Sequence, residues 1–145
     1  MDLNVLARTV DEQGHGPGAD GLPACLFGVR LTGGAGGPVV LEELARGEAR
    51  ELPEGVKPPA GLAAIALTTT AWAAPLDGIR PGRHPQRRPV RLTVVIAGDG
   101  EDVSVLTEPG VPAQVLRDGV GLVHRRMVRC WARRPEGPCA PRILR

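Results

Sequence analysis

The chain has no tyrosine, one phenylalanine and two tryptophans. Aromatic rings normally provide much of a domain's buried area. Here Val, Leu, Ile and Ala must build the core instead, in small increments of about 25 cal/mol per Å² removed from water. The same shortage argues against a module for single-stranded RNA or DNA, which stacks bases on aromatic side chains. The only rings are Phe27, Trp72 and Trp131, and each is expected to be at least half buried.

Other absences narrow the chemistry. Cys25, Cys130 and Cys139 are irregularly spaced, so they read as reduced thiols, not a disulfide framework. His124, Cys130 and Cys139 contain no tight ligand pair for zinc, and neither metal nor cofactor is expected. Pairing Cys25 or Cys130 with His84 or His124 would suit nucleophilic catalysis, but no local signature accompanies them. The glycine run at 33–37 leads into Pro38, which lacks the N–H a phosphate cradle needs. Neither GxxxxGK[ST] nor GxGxxG occurs. An enzyme is therefore not expected. The longest apolar run, 61–67, gives way to Thr68-Thr69-Thr70, far short of a membrane-spanning helix. Met1-Asp2-Leu3-Asn4 lacks the basic start of a secretory leader, which points to a cytoplasmic protein with no membrane partner.

What is present is enough for one domain. A chain of 145 residues can bury roughly two thirds of its unfolded surface without disulfides or metal. Its 20 glycines and 15 prolines cluster at 14–23, 33–38, 53–61, 78–89 and 135–141, between well-formed apolar runs, which marks long loops in a folded chain. Residues 2–13 carry Leu3, Leu6, Ala7 and Val10 at helical spacing, with Asp2 as N-cap. Residues 24–32 alternate as a strand. Residues 39–46 predict a helix ended by Gly47, with a short strand over 39–41 as the rival. Residues 51–60 read as a proline-held loop. Residues 61–72 are apolar on both faces, as in a central strand. Residues 89–96 and 102–107 form two strands around the hairpin signal Gly98-Asp99-Gly100-Glu101, with Val103 and Val105 expected to share the face of Val90, Leu92, Val94 and Ile96. Residues 114–116 give a fifth short strand. Residues 120–134 are helical, with Val120, Val123, Met127, Cys130 and Trp131 as the apolar stripe. The expectation is an α+β domain over 1–134. It has a mostly antiparallel sheet of about four to five strands and two or three helices packed mainly on one face. Residues 135–145 form a flexible proline-rich tail.

Two runs carry a resemblance. Ala66-Leu67-Thr68-Thr69-Thr70-Ala71-Trp72, followed by a loop containing His84-Pro85-Gln86-Arg87 and a second strand, is similar to small uncharacterised bacterial proteins from GC-rich genomes. The resemblance covers roughly residues 60–108 and implies no activity and no residue role. Seventeen of the eighteen basic residues are arginine, which GC-rich codon usage explains.

Charge is distributed unevenly. Residues 1–60 carry nine Asp/Glu and five Lys/Arg; residues 61–145 carry seven Asp/Glu and thirteen Arg. The basic excess gathers at 80–91 and 125–134. Arginine binds carboxylate or phosphate through a planar fork, and Pro81, Pro85 and Pro89 would stiffen the first cluster. The candidate binding residues are Trp72, Arg80, Arg83, His84, Arg87 and Arg88. The bland alternative is a solvated loop whose arginines pair with Asp99, Glu101 and Asp102. The function expected is that of a non-catalytic interaction or accessory protein binding an acidic protein surface, or a second copy of itself. One alternative is a nucleic-acid-associated protein contacting phosphates through both clusters. The other is a small-molecule binding protein or enzyme with a pocket beside Trp72, where Thr68–Thr70 end a central strand.

Overall fold

In the computed structural model, which describes residues 2–14, 24–32, 38–108, 110–117 and 122–135, Asp2 begins the first helix, α1 (Leu3–Gly14). Its Oδ1 accepts the Asn4 N–H at 2.8 Å, an N-cap bond to a donor the helix itself leaves unpaired. Six strands follow: β1 (Ala24–Leu31), β2 (Val39–Gly47), β3 (Ala64–Ala73), β4 (Arg88–Ala97), β5 (Glu101–Glu108) and β6 (Val111–Arg117). A single turn, α2 (Leu52–Gly55), lies between β2 and β3, and α3 (Leu122–Ala132) comes last. The strands form one sheet in the order β2-β1-β3-β4-β5-β6, with every neighbouring pair antiparallel.

The α+β class holds, with corrections to its parts. The sheet has six strands, not four to five. The residues expected as a helix over 39–46 are β2, a full edge strand. Leu41 and Leu44 are spaced like a helix face, but residues three apart in a strand point to opposite sides of the sheet. Leu41 then packs with the α1 cluster and Leu44 with the opposite cluster, so a strand satisfies both leucines.

The helices also do not share one face. Leu6, Ala7 and Val10 of α1 pack with Val29, Ala64, Ala66, Val95, Val103 and Val105. Met127, Cys130 and Trp131 of α3 pack with Leu26, Ile65, Leu67, Val94 and Ile96 on the other side. Successive residues of β3 and β4 alternate between the two clusters, so these strands are apolar on both faces and need a cover on each. For the same reason Val103 and Val105 lie with Val95, not with Leu92, Val94 and Ile96. The link from β2 to β3 must cross β1, and Leu52, Val56 and Leu62 of that link join the α3 layer. The hairpin between β4 and β5 forms as its glycines predict: Gly98 and Gly100 have φ of 57° and 104°, the region that favours glycine. No helix among the described residues is long and apolar enough to cross a membrane. The tail beyond residue 135, the glycine run, His15, Val120 and Cys139 lie outside the described residues.

Candidate functional site

Between β3 and β4 the chain makes a loop, residues 74–87, organised around one buried side chain. His84 is only 3% exposed. Its Nδ1 accepts the Gln86 N–H at 2.9 Å, which leaves Nε2 to donate to Asp77 Oδ2 at 2.7 Å. Its carbonyl accepts the Arg87 backbone N–H and Arg87 Nη1, both at 3.2 Å. Asp77 in turn accepts the Ile79 N–H at 3.2 Å. The bond from His84, with the Ile79 N–H second, holds the Asp77 carboxyl below the usual carboxylate range. One turn of 3-10 helix, residues Pro81–Arg83, closes on backbone bonds from Arg83 N to Arg80 O and from His84 N to Pro81 O. Pro81 fits its first turn because no N–H is needed there.

This loop borders a cleft of about 1020 Å³. Thr69, Thr70 and Trp72 of β3 line it, with Arg80 and Arg83 of the loop and Arg50 beyond β2. Trp72 is 49% exposed, and the Arg87 guanidinium lies 5.0 Å from its ring centroid, within cation–π range. Arg80 and Arg83 have no carboxylate partner among the described residues. Among the described residues Glu48 is the one acidic residue in the lining.

The residues singled out from the sequence therefore separate. Trp72, Arg80 and Arg83 share the cleft, and Arg87 stacks on Trp72. His84 is interior and holds the loop in shape. Arg88 pairs with Glu108. Arg91, from the same cluster, reaches Asp11 Oδ2 at 3.3 Å. Asp11 is 4% exposed and also accepts Thr93 Oγ1 at 2.9 Å and Thr107 Oγ1 at 3.1 Å. Neither Asp11 nor Arg50 was singled out from the sequence. Asp11 looks like a polar residue beside an apolar stripe, and Arg50 reaches the cleft only because β2 returns beside β1.

The second cluster, exposed Arg125 apart, is engaged internally. Arg126 Nη1 donates to Arg50 O at 2.6 Å and its Nε meets Glu54 at 3.0 Å. Arg133 Nη2 donates to the carbonyls of Pro53 and Val56. Arg134 lies 4.1 Å from the Trp131 ring and donates to Gly98 O. Trp131 Nε1 donates to the same carbonyl at 3.0 Å.

The remaining reactive groups are similarly engaged. Burial pushes the Cys25 and Cys130 thiols above their usual range, opposite to the shift a nucleophilic thiolate needs. Cys130 Sγ meets Val56 O at 3.3 Å. His124 faces Asp102 at 2.9 Å and links α3 to β5. Among the described residues no group of three or more His, Cys, Asp or Glu could hold a metal ion. Compared with known proteins, the chain matches no family model, no curated protein and no solved structure.

Proposed function

We propose that this protein is a non-catalytic binding module that takes an acidic segment of a partner protein into the cleft beside Trp72. One observation carries the reading: Arg80 and Arg83 form no ion pair among the described residues and stand next to a half-exposed indole, on a loop fixed by the bond from buried His84 to Asp77. A loop already bonded into shape has less ordering to lose on binding. Its unpaired guanidinium groups would accelerate encounter with an acidic partner. Four of the nine acids of the first half are already engaged within the chain, Asp11 by Arg91, Glu42 by Arg30, Glu43 by Arg46 and Glu54 by Arg126, which leaves fewer to meet the arginines of a second copy. That favours a separate partner over a second copy. The internal use of the 125–134 cluster weighs against a phosphate-binding face made from both clusters.

Thr69, in the same lining as Leu92 and Val123, supports a second reading, a small organic anion oriented by hydroxyl, indole and guanidinium. Tryptophan fluorescence tests both. Trp131 is only 3% exposed, so a change on titration reports Trp72. Poly-glutamate should quench saturably, less so as salt rises, and Arg80→Glu with Arg83→Glu should abolish the response. Quenching by citrate but not poly-glutamate would favour the small organic anion. An unaltered response in the double variant would remove the cleft from consideration.

A further inference from the structure

Three large apolar side chains open to solvent fall between positions 72 and 79: Trp72 at 49%, Leu76 at 105% and Ile79 at 48%. Single exposed aliphatic residues need no explanation, but a run of them marks an interaction surface. This run belongs to the bonded loop. The Asp77 N–H bonds to Pro75 O at 3.1 Å, the Asp77 carboxylate holds the Ile79 N–H and His84, and Gly78 takes a φ of 90° that permits the turn between them. Leu76 is therefore held in water by a shaped segment, and that segment leads directly into Arg80 and Arg83.

Resting on the binding reading above, we infer that the partner's segment is amphipathic, with acidic residues that meet Arg80 and Arg83 and a large aliphatic or aromatic side chain that covers Leu76 and Ile79. The two halves of the surface do different work. Exposed charges set encounter and sign selectivity, whereas burial of an apolar anchor supplies affinity. A discrete peptide fits better than an anionic bilayer. Asp77 lies between Leu76 and Ile79 with its side chain 46% exposed, which would set a carboxylate against anionic headgroups. The adjoining arginines line a concave cleft, which suits a segment more than a flat surface.

Fluorescence anisotropy with short labelled peptides tests this: alternating Glu and Gly, the same peptide with leucines replacing some glycines, and a Lys–Leu counterpart. The Glu–Leu peptide should bind about tenfold tighter than the Glu–Gly peptide, and the Lys–Leu peptide should not bind. Leu76→Ser with Ile79→Ser should erase the tenfold gain and leave Glu–Gly binding unchanged. Equal affinity for Glu–Gly and Glu–Leu would overturn this inference while the acidic-segment reading stands. Failure of both peptides would overturn the two together. Leu76-dependent binding to phosphatidylserine vesicles, with no gain from leucine in the peptide, would assign the apolar tip to a lipid surface and also overturn it.

Discussion

The two arginine clusters look alike in sequence and differ in the fold. In 125–134, Arg126, Arg129, Arg133 and Arg134 face groups of the same chain: Glu54, the carbonyls of Arg50, Pro53 and Val56, and the hairpin carbonyl of Gly98. These contacts clamp the crossover segment and the hairpin tip to α3. In 80–91, Arg88 and Arg91 are paired, while Arg80 and Arg83 line a cleft and form no ion pair among the described residues. Formal charge along a chain therefore says little about which charges remain available. Availability depends on whether a carboxylate or carbonyl is folded against each guanidinium.

The contrast can be broken at its strongest point first. Asp11→Ala removes the buried acceptor of Arg91, Thr93 and Thr107, and should lower unfolding stability by about 3 kcal/mol, read by chemical denaturation. A loss below about 1 kcal/mol would mean that this end of the first cluster is not structural. Next, Arg133→Ala leaves the carbonyls of Pro53 and Val56 without that donor and should cost about 1–2 kcal/mol. Exposed Arg125→Ala should change stability by under about 0.5 kcal/mol. Equal effects from the two would erase the distinction between engaged and free arginines.

Arg80→Glu with Arg83→Glu should sharpen the contrast. Unfolding should shift by under about 0.5 kcal/mol, while poly-glutamate binding disappears. A destabilised double variant would show that these side chains belong to the fold after all. The smallest effect is in pH. The Asp77 carboxyl is held below its ordinary range in the folded loop, so its contribution is present above that range and is lost as pH falls through the depressed value. The emission difference between wild type and Trp72→Phe should change at acidic pH, below the ordinary carboxylate range, and this transition should be absent in Asp77→Asn. An identical acid transition in Asp77→Asn would separate the loop's shape from this pair.

Much of the fold was legible along the chain. The helical spacing of Leu3, Leu6, Ala7 and Val10, the two-faced apolar run before Trp72, the alternation after Pro89 and the glycines of the hairpin each gave the element that formed. Strand β2 was misread because a separation of three residues, which puts Leu41 and Leu44 on opposite faces of a strand, also places two residues on one face of a helix. The placement of helices on both faces was missed because a run of apolar residues does not state which neighbour covers which side. At the cleft, Trp72, Arg80 and Arg83 were named from the sequence as binding candidates beside a strand end, with the ring expected to be at least half buried. Arg50 was not, because it arrives from a distant segment. His84 was read as surface chemistry, whereas bonds at both ring nitrogens make it the loop's internal support.

By itself the sequence determined an aliphatic core, its division into helices and strands apart from β2, and the stock of arginines, because periodicity, turn chemistry and composition are local properties. Only the tertiary structure decided which arginines would be neutralised, which histidine would be buried and where a cleft would open. Those outcomes depend on contacts between segments far apart in the chain, such as Asp11 with Arg91 and Arg133 with Pro53. No local pattern encodes the distance between them.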